Sequence, residues 1–598
     1  MAHLNRRPYG GSRRKLVLAF DVGTTYSGIS YSILDPGQVP EIKGVTRFPA
    51  HEQISGASKI PTVIYYDRGG NVCAVGAEAM REGIYEMAMD EDWVKTEWFK
   101  LHIRPKSGAS HHVTANIPPL PLNKTVVQVL ADFLQYLFNC GKSYIQDTHA
   151  NGRDLWESVE SEIDYVISHP NGWEGYQQSQ IREAVVLARL IPDTPAGHAR
   201  VSFVTEGEAS LHFSIDNGLP AGAMQSGEGV VIVDAGGGTV DVSAYGKKAS
   251  TAPDKAPVFE EIAAPQCHFH GSVFVSIHAR LFLEGFLAES DFVEDIDHIV
   301  RCFDKSTKVR FSSDKQPQYV KFGGTRDNDE SCNIRFGQLK LAGTDVAKFF
   351  EPSVKCIVDA VEEQIKNGHH TIKHVVLVGG FSASDWLFHK VDEALKPKGL
   401  NVIRPENHVN KAVSDGALSF YLDHFVTTRV SKVAYGTFCH IPYDSKDPEH
   451  VKRQSQTFIS VSNSKRIGGF FQVVLHKNTQ VSEEREFRYG FWYEFENRES
   501  LKNVKSEVWC YKGNNANPKW KDEDSENYAK LCTVEMDLSH LPIQPRTRAN
   551  GTSGNYWYLE YNYILFFSAV ELRAQISWKE NGIEKRSPAK IVFDPNDV

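Results

Sequence analysis

Twice along the chain the apolar positions fall into the same figure. Residues 229–246, GVVIVDAGGGTVDVSAYG, open on the apolar run Val230 to Val233, which reads as a strand buried on both faces. They then break at a glycine-rich turn and return through Val240, Val242 and Ala244, the alternation of a half-buried partner strand. Residues 16–33, LVLAFDVGTTYSGISYSI, repeat the figure at a constant displacement of 213 residues, which lays Asp21 on Asp234, Gly23 on Gly236 and Ser30 on Ser243. Two matching hairpins so far apart predict a duplicated domain whose halves each present a turn to a shared cleft.

Between the hairpins, Thr62 to Tyr66 reads as a strand that turns at Gly69 and Gly70 into a second one, and the aromatic, charged residues 84–103 are expected to be helical. Val126, Val129, Leu130, Phe133, Leu134, Leu137 and Phe138 form a 3.6-residue stripe, which predicts a helix with Asn123 as its N-cap. Residues 146–162 read as a polar connection. IDYVISHP, residues 163–170, is a buried strand stopped by Pro170, followed by a helix to about Leu190. After the second hairpin, helices are expected near 273–288 and 344–366. HVVLVGGFSAS, residues 374–384, is a buried strand opening at Gly379 and Gly380, either at the ligand edge of an α/β sheet or as a plain strand-to-helix turn. From about Thr428 strand-like runs take over; near the end Val570, Leu572, Ala574, Ile576 and Trp578 alternate with polar residues, and Asn581-Gly582 supplies a tight hairpin turn. Within this β-rich part, 512–529 reads as a hydrophilic loop.

Composition narrows the class. A chain of 598 residues is too long for one core and suggests roughly three to five domains or subdomains. The net charge of −9, with no long basic stripe, argues against nucleic acid as a partner. Nine cysteines without a C-x-x-C pair argue against a disulfide framework and for a reducing compartment. No run approaches a membrane span, and the basic MAHLNRRPYGGSRR lacks the apolar core of a secretory signal. The expectation is a soluble, cytoplasmic monomer, with no membrane partner and a disordered basic tail over residues 1–14.

The turn of the second hairpin carries the candidate chemistry. Gly236, Gly237 and Gly238 remove three β-carbons in succession, so backbone N–H groups can close on a phosphate. Asp234 stands at the mouth of the turn, where a carboxylate can hold a hydrated Mg²⁺, and Thr239 and Asp241 add a hydroxyl and a second carboxylate. A lone GGG is as readily an ordinary hairpin loop; the repeat is what sets this one apart. CHFHG, residues 267–271, invites a zinc reading but lacks a distant ligand pair.

In this order, the elements from roughly 15 to 424 resemble the nucleotide-binding domain of the 70-kilodalton heat-shock chaperone family, within the actin-like ATPase superfamily. FDVGTTYS and VDAGGGTVDVS are similar to its two phosphate motifs, and IPTVIYY with AVGAEA to its early strands. VISHP and NKAVSDGAL are similar to its connecting motifs, FVTEGEASLHF to its glutamate-bearing connection, and VVLVGGFSAS to its adenosine motif. The resemblance implies an α/β fold, a duplicated, two-lobed ribonuclease H-like domain with lobes over 15–228 and 229–424, and a smaller β-rich domain over 425–598. It implies a slow Mg²⁺-dependent ATPase binding ATP or ADP.

Carried onto this sequence, the resemblance has Asp21 and Asp234 hold Mg²⁺ through water, with Asp241 nearby. Gly23, Thr24, Thr25, Tyr26, Gly236, Gly237, Gly238 and Thr239 surround the phosphates. Glu206, with Asp21, Asp234 and Thr239, forms the catalytic set, Glu206 ordering the attacking water. The family's γ-phosphate lysine is either Lys95 or Lys100. Adenine falls to Gly379, Gly380 and Phe381, and to Lys308 unless that lysine lies on a solvated helix face. Pro170 resembles the proline through which the family relays closure. The stretch 423–436 is not the family's acidic, leucine-rich linker, so the implied reading is a divergent chaperone-like ATPase whose partner is an unfolded polypeptide or another protein bound by the C-terminal domain. A nucleotide switch or scaffold and a small-molecule kinase are the alternatives.

Overall fold

In the computed structural model the displacement of 213 residues becomes a repeat of topology. The structure describes residues 6–53, 58–105, 117–173, 175–217, 219, 227–248, 257–368, 370–405, 411–548, 554–568 and 570–592; the first five residues of the basic tail lie outside them. Strand β1 (Lys15–Val22) pairs antiparallel with β2 (Tyr26–Leu34), to which β3 (Lys43–Gly44) adds. On its other side β1 runs parallel to β4 (Ile163–His169), and β4 parallel to β5 (Val201–Thr205). The second sheet copies this order and these directions with β6 (Glu228–Ala235), β7 (Val240–Lys247), β8 (Phe259–Glu261), β9 (Thr371–Val378) and β10 (Asn401–Ile403). Leu16 to Phe20 and Val230 to Val233 have no exposed surface, as expected of central strands flanked on both sides and covered on both faces. In register, Asp21 faces Gly28 and Asp234 faces Asp241.

Three local expectations need correction. Helix α1 (Val126–Thr148) is capped by Thr125, not Asn123: the Thr125 hydroxyl accepts from the Gln128 N–H while the Gln128 side chain accepts from the Thr125 N–H, satisfying two donors at once. Residues 84–103 do not form one helix. They split into a helical turn Ile84–Asp90, a strand Val94–Glu97 beside Val63–Tyr66, and a 3₁₀ turn Phe99–Ile103, because Asp92 and Trp98 take positive φ at both joints. The polar connection 146–162 contains a further helix, Gly152–Val159, which buries Trp156 and Val159 one turn apart.

The basic tail is ordered from Arg6 onward. Helices α2 (Glu206–Asp216) and α5 (Ala412–Asp423) end in Asp216 and Asp423, and Arg6 bridges both carboxylates at 2.6 and 2.8 Å. A guanidinium at two helix C-termini is favoured by their dipoles as well as by the carboxylates. Two other long helices, α3 (Ser272–Phe286) and α4 (Gly343–Asn367), pack their apolar stripes into the core of the second sheet.

By contacts the chain divides into two units, residues 1–173 with 177–426, and residues 427–598 with 174–176. The second unit is a β-sandwich. One antiparallel sheet contains β11 (Ala434–Pro442), β12 (Lys465–Leu475), β14 (Val504–Tyr511) and β15 (Tyr528–Met536); the other contains β13 (Phe487–Phe495), β16 (Asn555–Ser568), β17 (Glu571–Glu580) and β18 (Ile583–Arg586). Leu475, Val508 and Val534 from one sheet share a core with Phe491, Tyr563 and Ile576 from the other. Asn581 and Gly582, both at positive φ, make the two-residue turn between β17 and β18. The hydrophilic stretch 512–529 conceals an apolar anchor: Trp520 is buried beneath the guanidinium of Arg453, which Glu449, Asp522 and Glu523 surround. No helix among the described residues is long and apolar enough to cross a membrane.

Candidate active site

Helix α3 fixes the glycine turn from behind. The N–H groups of Gly271, Ser272 and Val273 donate to the carbonyls of Gly238, Gly236 and Gly237 at 3.2, 3.1 and 2.9 Å, and the Gly236 N–H closes the turn on Thr239 O at 2.9 Å. In a trans peptide the N–H points opposite its carbonyl, so the N–H groups of Gly237, Gly238 and Thr239 face away from α3, toward the first hairpin. There stand Thr24 and Thr25. A β-carbon on Gly237 would run into the Thr25 hydroxyl, and one on Gly238 into the Thr24 hydroxyl. The two turns therefore meet directly, hydroxyls against bare backbone, as only glycine permits. Tyr26, next along the first turn, is about half exposed.

Around this meeting point four buried carboxylates and two lysines converge from both sheets. Glu206, at the start of α2, accepts from Lys100 Nζ at 2.5 Å, and both side chains are under 10 % exposed. Asp21 accepts from Lys59 Nζ at 2.6 Å, with Ser168 Oγ at 3.4 Å on its other oxygen. Ser210, one turn beyond Glu206 on α2, donates to Asp234 at 2.8 Å, and the Asn171 N–H donates to Asp241 at 2.6 Å. Of the two lysines weighed from the sequence, Lys100 enters the site, whereas Lys95 pairs with its neighbour Glu97 at 2.8 Å on a partly exposed strand.

The electrostatics follow from this count. Burial pulls the Lys100 ammonium down, but Glu206, Asp21 and Asp241 more than offset it, so it stays protonated with its pKa above the ordinary lysine value. Burial pushes Glu206 above its ordinary value, with Lys100 opposing. Asp234 and Asp241 have no lysine of their own. Burial, then the charge of Glu206, lifts Asp234 to about 7 and Asp241 well above the carboxylate range. Asp241 Oδ2 is buried with no hydrogen-bond partner. An orphaned carboxylate oxygen beside a second electron-rich carboxylate fits a divalent cation. Among the described residues no three His, Cys, Asp or Glu side chains are grouped closely enough to ligate a metal ion directly.

Of the residues expected at adenine, Gly379, Phe381 and Lys308 have partners within the protein. Gly379, at φ +86, lets the end of β9 press against Asp234, where any side chain would collide with the carboxylate. Phe381 is not turned toward the cleft; its ring is buried in the core beside Phe350, because the 3₁₀ turn Gly380–Ala383 directs it inward. Lys308 is neither solvated nor free: its ammonium holds Asp304, with Ser276 Oγ and Ser272 O at 3.2 Å. Asp304 and Lys308 are brought together where the helix opens into a π turn, Phe303–Thr307.

Sequence reasoning missed Lys59, Ser168, Asn171 and Ser210. Ser210 could have been found by helical periodicity, four residues after Glu206. Asn171 follows Pro170 where β4 ends, and its side-chain amide also donates to Ser243 Oγ at 2.9 Å and Gln266 O at 3.1 Å, tying β4 to the second hairpin. Lys59 gave no local signal; only the pairing of Ile60–Pro61 with β2 carries it to the turn.

No family model matches the chain. Human heat shock 70 kDa protein 12B is 23 % identical to it over 496 residues, covering 70 % of this chain and 71 % of that protein. Mouse heat shock 70 kDa protein 12A is 23 % identical over 502 residues, with the same coverage. Together with the duplicated sheets, this distant homology makes the chain a divergent heat-shock-70-like protein, with a two-lobed actin-like fold followed by a β-rich region.

Proposed function

We propose that the site binds ATP with Mg²⁺ and hydrolyses it slowly to ADP and phosphate. The observation that carries this reading is the meeting of two hydroxyl- and glycine-lined turns over a buried Lys100–Glu206 pair. The N–H groups of Gly237, Gly238 and Thr239 and the hydroxyls of Thr24 and Thr25 donate to the β- and γ-phosphate oxygens. Lys100 turns from Glu206 to the γ-phosphate, and Glu206, so released, accepts a hydrogen bond from water and aims it in line with the bond to be broken. Asp234 and Asp241, oriented by Ser210 and Asn171, hold the water shell of the cation. Mg²⁺, when bound, neutralises charge on the phosphate oxygens.

The distant homology to 70-kDa heat-shock proteins supports the nucleotide; the finer reading, a chaperone-like action on polypeptide through the β-rich unit, rests on resemblance alone. The nine cysteines, with no C-x-x-C pair among them, support a cytoplasmic location. The test is phosphate release from Mg²⁺-ATP by the full chain with water as the sole acceptor. Release abolished by chelation is the expected result. Binding without release would replace the ATPase with a nucleotide switch, and release only on addition of a small-molecule acceptor would make it a kinase.

A further inference from the structure

We propose that Lys59 is a built-in cation of the first turn, which lets the site bind a nucleoside polyphosphate without a divalent ion. This rests on the nucleotide reading above. The two hairpins differ in register opposite their aspartates: opposite Asp234 stands Asp241, and opposite Asp21 stands Gly28. The strand Ile60–Pro61 pairs with β2, Tyr26 against Pro61 and Ser27 against Ile60, so the next residue back, Lys59, lies beside Gly28. A β-carbon on Gly28 would sit 3.3 Å from Lys59 Cγ and 3.4 Å from Cε. The lysine stem thus runs along a groove that a longer residue would fill, and its ammonium reaches Asp21 at 2.6 Å with only 14 % of the side chain exposed.

The consequence is an asymmetric site. A polyphosphate entering among four carboxylates ordinarily needs a metal ion to offset their repulsion. Here Lys100 and Lys59, the partners of Glu206 and Asp21, bring two cations of the chain's own to the phosphate side. An ammonium has three donors; Asp21 engages one, and the others are available to phosphate oxygens arriving beside Thr24.

The experiment is calorimetric titration of the full chain with ATP, once with Mg²⁺ and once with EDTA, on the parent, Lys59→Met and Lys59→Arg. The parent should bind in EDTA within about tenfold of its Mg²⁺ affinity. Lys59→Met should lose about ten- to a hundredfold in EDTA, the scale of one charge-assisted hydrogen bond, and much less with Mg²⁺; Lys59→Arg should restore the metal-free binding. If the parent binds only with Mg²⁺, or if Lys59→Met binds in EDTA as the parent does, Lys59 is a structural partner of Asp21 and the proposal falls. If the parent binds under neither condition, the nucleotide reading itself fails. If Lys59→Met does not fold, Lys59→Gln, which removes the charge but keeps a polar end beside Asp21, takes its place with the same two outcomes.

Discussion

Removing either member of the Lys100–Glu206 pair should have opposite consequences for stability and catalysis. Lys100 is the cation that Glu206, Asp21 and Asp241 share. Lys100→Met leaves these buried carboxylates with Lys59 alone, the situation in which losing one partner of a buried pair costs about 3–5 kcal/mol. At roughly 2 °C or less per kcal/mol for a unit of this size, the midpoint should fall by about 5 °C. Glu206→Gln instead removes a carboxylate that burial already holds above its ordinary pKa, and Lys100 keeps Asp21 and Asp241. Its stability should change by no more than about 1 kcal/mol, while hydrolysis slows about ten- to a thousandfold, the worth of one water-positioning group. That is about 1.4–4 kcal/mol in the barrier, with ATP affinity retained. Thermal melts, phosphate release and calorimetry on both variants separate the effects. A Glu206→Gln protein hydrolysing at the parent rate, or a Lys100→Met protein as stable as the parent, would refute the reasoning.

The pH dependence has a definite sign. With its pKa lifted to about 7, mainly by burial, Asp234 holds a proton in the folded state that the unfolded chain has already lost. Its contribution to stability is complete below the ordinary aspartate value and is lost as pH rises through about 7, at up to about 1.4 kcal/mol per pH unit. The melting midpoint of Asp234→Asn minus that of the parent should therefore grow between pH 5 and pH 8; a flat difference would contradict the buried, cation-free Asp234 described above. In the β-rich unit, Arg453→Met should expose Trp520 and red-shift its fluorescence. The stability loss there should be about 2 kcal/mol, less than for a fully buried pair, since Glu449, Asp522 and Glu523 are 37–50 % exposed and can rehydrate.

Periodicity made the central strands legible because β1 and β6 are buried on both faces and carry unbroken apolar runs, and the repeat made their pairing legible too. What it could not show were breaks set by single backbone conformations: positive φ at Asp92 and Trp98 cut residues 84–103 into three pieces. The two facing turns were legible because glycine acts through the backbone at fixed spacing. Long side chains were not. Lys59 reaches the site across a sheet pairing that no local window contains, and Lys308 is held by Asp304, Ser276 and the Ser272 carbonyl. Phe381 packs into the core beside Phe350 from a 3₁₀ turn that no local window announces, whereas Gly379 acts through the backbone. Arg6 and Trp520 were hidden by composition: a basic tail and a hydrophilic loop each carry one residue that anchors them.

The central claim is that two facing turns grip the phosphates of a nucleotide, and its most direct measurement is the shift in melting midpoint of the full chain on adding Mg²⁺-ATP, Mg²⁺-ADP or AMP. Binding to the folded state alone contributes about 2.7 kcal/mol at a hundred times Kd. The account predicts a clear rise with ATP and ADP, little with AMP, and no rise with ATP in Gly237→Val, whose side chain would occupy the place of the Thr25 hydroxyl. No shift with millimolar ATP in a folded parent protein, or an equal shift in Gly237→Val, would contradict it.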